Sequence, residues 1–475
     1  MVREIDFGRR ITRKSPYSPT LFASASKGFT DDGWRSIEGY PVSAIELESM
    51  AEARDFVKQY KEVKNFKMYG NDQFIYPYIA ENYPGHLEHD FSQLLIATLD
   101  IETTTEYGFP DTKNPVEEIN VITMSLNGRK LVFALGDVKI DRDDVELVFC
   151  HDEEHLLHNF MAAWKESYPD IVTGWNCKSF DIPYICARIN KMFDESTMES
   201  LSPWGVVKSK TEKVRNKEVV VYNILGVAIL DMYLLYRKFT ASAQEEWKLD
   251  HIAEVELGRK KLDHSEYDTF KDFYTKDYNK FVAYNIVDVD LVEELNNKLH
   301  LLELAVDMAY TAKCNFEDVF SPVKTWDVMI YNYLHERKIV IPFKDFTADK
   351  DEQYEGAYVK DPVVGLHENV VSFDLNSLYP SIIRQWNISP DTILNRSKKV
   401  DVEDLLNKKI DTTGFVDDDV TMAANGQFFD ASKEGFLPTI IKDIYEARVR
   451  HRAFVKAKSK ELQEIEQELE RRAKL

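Results

Sequence analysis

Cysteine is scarce in this chain: four in 475 residues, and Cys150, Cys177, Cys186 and Cys314 form no C-x-x-C pair. That excludes a zinc ribbon and a disulfide framework, and it fits reduced thiols in a cytosol-like compartment. No apolar run approaches the roughly 18 residues needed to cross a bilayer. Residues 1–18 are basic but have no apolar core behind them, so they are not a secretory signal and a soluble, cytoplasmic protein is expected. Internal repeats and low-complexity linkers are lacking, which leaves domain boundaries soft. Positive charge is in deficit as well, with a formal net charge of -22. Such a balance argues against non-specific coating of nucleic acid. It does not exclude a site that handles phosphates through metal ions, because carboxylates build such sites. Local basic clusters remain at residues 208–217 and at Arg448, Arg450, Arg452, Lys456, Lys458 and Lys460.

What the chain does hold is ample apolar material: 44% hydrophobic and 12% aromatic residues support packed globular units. At this length one core is too few, so two to four domains are expected. A short helix is expected near residues 51–60 and a buried strand over 94–101. Two further strands (118–126 and 130–135) flank Asn127-Gly128, a strong hairpin turn. Helical spacing covers 153–166, followed by a strand at 170–175 and a helix at 182–192. A strand meander followed by helix, strand and helix is an α/β layer pattern resembling the ribonuclease H-like nuclease fold. Residues 208–225 read as a basic hairpin with Arg215 and Asn216 at its tip. Helices are expected within 277–312 and over 323–335, a strand over 370–373, and a long charged helix from 438 to 475.

Three short patterns carry chemistry. Asp100 and Glu102 stand two apart at a strand end, so both project to one face, a repulsive pair unless a cation lies between them. Asp181 follows a strand and opens a helix, where helix capping is the ordinary role of an Asp. Tyr284 and Asp288 share a helical face at i and i+4. Singly, each pattern is commonplace. Their order and spacing together resemble the exonuclease motifs of proofreading 3′→5′ exonucleases with four acids and a tyrosine. The resemblance implies that Asp100, Glu102, Asp181 and Asp288 hold two divalent ions and that Tyr284 orients the attacking water. Mg²⁺ suits oxygen-only ligands, with Mn²⁺ as a substitute.

A second constellation surrounds Asp374-Leu375-Asn376-Ser377-Leu378-Tyr379-Pro380-Ser381. It resembles the first palm motif of family B DNA polymerases. By that resemblance Asp374 and the Leu375 carbonyl ligate metal, and Leu375 to Tyr379, with Asn376, Ser377 and Leu378, meet the incoming nucleotide. Tyr379 would exclude a 2′-hydroxyl. Arg448 and Arg452 match positions that grip the triphosphate. Tyr354-Glu355-Gly356-Ala357 is similar to the family's Tyr-Gly-Gly link, with Ala357 in place of its second Gly. Tyr354, Gly356, Lys208, Lys210 and Arg215 are expected to contact DNA, the last three on a hairpin that separates primer from template. The neighbourhoods of Trp326 and Trp386 look like those of T-even-type phage replicative polymerases.

The expectation is therefore an α/β multidomain chain. Residues 1–90 form an N-terminal domain completed by 301–345, and 91–300 a ribonuclease H-like exonuclease domain. Residues 346–434 form a partial palm and 435–475 the first half of the fingers. Its expected partners are primer–template DNA, single-stranded 3′ ends and deoxynucleoside triphosphates. The family's Asp-Thr-Asp palm motif and second fingers helix do not occur in these residues, so a second polymerase chain is expected to supply them. If phage-encoded, the pair would work in the host cytoplasm. The alternatives are a stand-alone 3′→5′ exonuclease and a non-catalytic nucleic-acid-binding or assembly subunit. His151, His155 and His158 share a helix face, but Asp152 stands where a zinc-protease helix needs Glu, and no metal role is expected.

Overall fold

The computed structural model describes residues 1–6, 9–24, 31–61, 63, 66–214, 217–240, 243–343 and 359–473. The chain divides into two compact units that interleave in sequence. The first comprises residues 1–19, 48–52 and 73–333, and the second 20–47, 53–72 and 334–475.

The first unit is built on a six-stranded sheet. In spatial order its strands are Val145–Cys150, Arg129–Leu135, Ile119–Leu126, Ile96–Thr103, Ile171–Thr173 and Ala228–Ile229. The three middle strands of the meander are antiparallel, and both flanks are parallel additions. Asn127 and Gly128 join two of them with φ of 49° and 90°, the left-handed pair that a tight hairpin turn demands. Helices Glu153–Ser167 and Asp181–Met192 lie on the crossovers that lead to the parallel neighbours Ile171–Thr173 and Ala228–Ile229, whereas residues 136–144 join Arg129–Leu135 to its parallel neighbour Val145–Cys150 without a helix. Their apolar faces (Leu156, Leu157, Phe160, Trp164; Ile182, Ile185, Ile189) fill one core with Leu99, Ile101 and Ile122. On the sheet's other side, helix Tyr278–Leu299 packs Phe281, Val282 and Ile286 against Val121, Val132 and Ala134. His300, at φ 52°, separates it from helix Leu301–Ala312, so the expected helical stretch is two helices.

Glu153 is buried, pairs with Arg188, and accepts the Ile119 N–H at 2.8 Å, while Asp152 caps its helix. An N-terminal hairpin, Val2–Asp6 with Arg9–Arg13, belongs to this unit, and Arg3 donates to the carbonyls of Pro169 and Gly226.

In the second unit, strands Thr20–Ser24, Val42–Glu46 and Met68–Tyr69 form one sheet, and Ile339–Val340 pairs in parallel with Arg35–Ser36. A further sheet joins Ile393–Ser397, Gln427–Asp430 and Val420–Met422. Helices Leu378–Gln385 and Phe436–Ala473 pack against each other. The strand expected over 370–373 does not form: these residues pair with no other strand among the described residues. An extended apolar run becomes a strand only when a neighbour takes up its N–H and C=O groups. Among the described residues, no helix is long and apolar enough to cross a membrane.

Candidate metal centre

Alternation along Ile96–Thr103 turns Leu99 and Ile101 into the core and sends Asp100 and Glu102 to the opposite face. Helix Tyr278–Leu299 lies on that face and brings Asp288 to the pair. One carboxylate oxygen each from Asp100, Glu102 and Asp288 falls within 4.8 Å of the others. Asn285, three residues before Asp288, donates its side-chain N–H to Asp100 Oδ2 at 2.6 Å. Asp181 is buried and stands in the first turn of its helix, which begins after Phe180 without a side-chain cap. Instead of capping, its Oδ1 accepts the backbone N–H of Ile101 at 3.1 Å, between the two strand acids.

Like charges gathered this closely resist ionisation. Burial first, and the neighbouring acids second, hold Asp100 well above the ordinary carboxylate range. The same causes push Glu102 up to about 8. Burial pushes Asp181 up to about 7 and raises Asp288, against the pull of Lys261. Lys261 is the local counter-charge. Its ammonium pairs with Asp288 and donates to the Tyr284 hydroxyl at 3.1 Å. Burial disfavours its charge, but Asp288, Tyr284 and Asp100 outweigh that and raise its pKa. Burial, then the Asp288 charge, raises the Tyr284 phenol, which stays protonated at neutral pH.

The donor set fits a hard divalent cation. It offers only oxygen, and Asp288 Oδ1 is buried without a hydrogen-bond partner. Asp100, Glu102 and Asp288 would hold such an ion directly, with Asp181 adjoining.

Lys261 and Asn285 were not singled out by the sequence. Lys261 stands in Arg259-Lys260-Lys261, three adjacent cations that look alike on paper. In the fold Arg259 pairs with Glu294 and Lys260 with Glu254, while Lys261 turns inward with its N–H held by Asp250 Oδ1 at 2.8 Å. Asn285 did leave a signal, since i and i+3 share a helical face with Asp288.

The second constellation is arranged otherwise. Asp374, Leu375, Asn376, Leu378 and Tyr379 are exposed, and Ser377 turns the chain into helix Leu378–Gln385 at φ 53°. Arg448 reaches Ser377 Oγ at 3.3 Å, and Arg452 follows one turn along the same exposed helix. On the basic hairpin (Val207–Val214 with Lys217–Ile224) Lys208 is exposed and Lys210 pairs with Glu212 at 2.7 Å. Arg215, and Tyr354 with Gly356, lie outside the described residues.

The six-stranded sheet carries two of the acids on a central strand and helices bring the other two, a layout that suits a hard-cation centre, and sequence comparison gives the family. The exonuclease domain of DNA polymerase family B matches residues 40–252, and DNA polymerase family B matches residues 324–470. The chain is 31% identical to the DNA-directed DNA polymerase of Escherichia phage RB69, over 95% of this chain and 52% of that protein. It is 30% identical to the DNA-directed DNA polymerase of Enterobacteria phage T4, over 92% of this chain and 50% of the other. DNA polymerase 1 of Sulfolobus acidocaldarius is 32% identical over 68% of this chain. The chain belongs to DNA polymerase family B, with that family's exonuclease domain and part of its polymerase domain. It spans about half the length of the phage relatives.

Proposed function

We propose that this chain is a DNA-directed DNA polymerase component that removes nucleotides from DNA 3′ ends at the acidic centre and contributes Asp374 to nucleotidyl transfer. The carrying observation is the trio Asp100, Glu102 and Asp288, within 4.8 Å and with one buried oxygen of Asp288 unpartnered. Asp100, Glu102, Asp181 and Asp288 would hold two Mg²⁺ ions. Bound there, such ions supply charge stabilisation at both the attacking and the leaving oxygen of an in-line hydrolysis.

Around that chemistry the chain's own groups orient and hold. Tyr284 offers a protonated phenol to the attacking water, steered by Lys261 at 3.1 Å. Lys261 also fixes Asp288, and Asn285 fixes Asp100 through its 2.6 Å bond. In the second unit Asp374 and the Leu375 carbonyl would take metal, Tyr379 would face the sugar, and Arg448 and Arg452 the triphosphate. Clamping two ions there takes a further carboxylate besides Asp374. The finer reading is a split polymerase, in which a second polypeptide brings the other carboxylate and pairs with the exposed stripe Leu462, Ile465 and Leu469.

A labelled primer on a longer template, with Mg²⁺ and all four deoxynucleoside triphosphates, tests both levels. Shortening without extension is expected, and Asp100→Ala with Glu102→Ala should abolish it while DNA binding persists. No shortening sinks the nuclease reading. Extension by this chain alone sinks the split reading.

A further inference from the structure

Asp100 and Glu102 are placed by a sheet ladder and Asp288 by the long helix Tyr278–Leu299, whereas Asp181 stands at the exit of a loop. It enters from the loop 175–180, whose backbone is irregular and includes Asn176 at φ 69°. Such a loop needs partners for its inward N–H groups. Two of them, Asn176 N–H at 3.0 Å and Lys178 N–H at 3.1 Å, are taken by the Oδ1 and Oδ2 of Asp231. Asp231 lies 50 residues further along the chain than Asp181, by subtraction of their numbers, and is 1% exposed. Its Oδ1 also accepts Tyr233 N–H at 3.0 Å, capping helix Met232–Phe239. A plain cap needs one such bond and no burial. Here the carboxylate is turned to join two elements, and backbone amides rather than a cation satisfy it.

The loop relays that anchorage to the Asp181 helix. Asn176 O accepts Ser179 and Phe180 N–H at 3.0 and 3.1 Å, and Cys177 O accepts Ile182 N–H at 3.0 Å, the residue after Asp181. Gly174 admits no looseness behind the loop: a Cβ there would lie 2.4 Å from Leu99 O and 2.9 Å from Cys177 Cβ. The adjoining bond, Met232 N–H to Gly174 O at 3.0 Å, ties the same strand end to the Asp231 helix.

We propose that Asp231 is a positioning residue for the acidic centre: its carboxylate clamps loop 175–180 and so fixes where Asp181 stands against the Asp100–Glu102 strand end. This rests on the nuclease reading above. Asp231 touches none of the four acids, and it acts through the backbone of the loop.

Two variants of the whole chain separate clamp from cap. Asp231→Asn keeps one oxygen for Asn176 and Tyr233 but turns an amide donor toward the Lys178 N–H. Asp231→Ser still caps its helix and no longer reaches the loop. Hydrolysis of a single-stranded oligonucleotide is followed against Mg²⁺ concentration, beside oligonucleotide affinity measured without divalent ions. Loss of an anchoring partner of this kind costs roughly 10–100-fold in rate or metal affinity. Both variants should show that loss, with a raised Mg²⁺ midpoint and unchanged oligonucleotide affinity. Full activity in Asp231→Ser would reduce Asp231 to a helix cap and overturn the proposal. So would a loss of oligonucleotide affinity in step with rate, which marks general unfolding. If the unsubstituted chain releases no nucleotides, the nuclease reading itself has failed, whatever the variants do.

Discussion

The acidic centre and the Asp374 turn both offer carboxylates to hard cations, yet their surroundings are opposite. Asp100, Glu102 and Asp288 converge beneath a packed helix, with Asn285 and Lys261 already bonded to two of them. Asp374 is exposed, and Val371 and Phe373 beside it are 70% and 89% exposed. Preorganisation therefore differs. Electrostatic stabilisation is strong where dipoles and charges are fixed in a water-poor site, and weak for a solvated side chain free to turn. The first unit presents a centre whose acids are held by bonded neighbours. The second presents a turn and two arginines whose geometry little else constrains.

Three changes would break or sharpen that contrast. The largest effect is expected where the acidic centre's scaffold is cut. Glu153→Ala strands Arg188 in the core beside the Asp181 helix and should cost about 3–5 kcal/mol. Asp374→Asn should stay within about 0.5 kcal/mol. Urea unfolding followed by tryptophan fluorescence compares them, and equal shifts would erase the contrast. Next, Lys261→Met should slow hydrolysis by roughly tenfold, as loss of a bonded neighbour does. It should also lower the melting temperature of the metal-free chain and enlarge the rise on adding Mg²⁺, because the ion then replaces a lost cation. A melting temperature unmoved in both conditions would show that Lys261 is no counter-charge.

The smallest effect is in pH. The folded pKa values of Asp100, Glu102, Asp181 and Asp288 are raised, to about 8 for Glu102 and about 7 for Asp181. The folded chain thus binds more protons than the unfolded one between about pH 4 and those values. Their contribution to stability is full below about pH 4 and is lost as pH rises through that window. Without divalent ions the first unit should grow less stable across it, and Asp100→Asn with Glu102→Gln should flatten the slope. Parallel slopes with and without the substitutions would deny that the acids are coupled by burial.

Much of this was legible along the chain. Asn127-Gly128, the helix at 153–166 and the alternation at Asp100 and Glu102 are local patterns, and local patterns survive folding when the core agrees with them. Tyr284 and Asp288 were readable for the same reason, since i and i+4 meet on any helix. Residues 370–373 misled, because an apolar β-rich run states a propensity and only a neighbouring strand converts it into a ladder. Asp181 was readable as a member of the motif, but its ordinary capping role gave way to a bond across to Ile101.

The sequence by itself determined the family resemblance, the spacing of Asp100, Glu102, Asp181, Tyr284 and Asp288 along the chain, and the order of the elements that carry them. These depend on residue type and short spacing. Which of three adjacent cations enters the acidic centre, and that Asp231 holds the loop before Asp181, only the tertiary structure decided. Those contacts join residues far apart in sequence, Lys261 through its ammonium and Asp231 through backbone amides that every residue but proline carries, and so leave no mark in the letters.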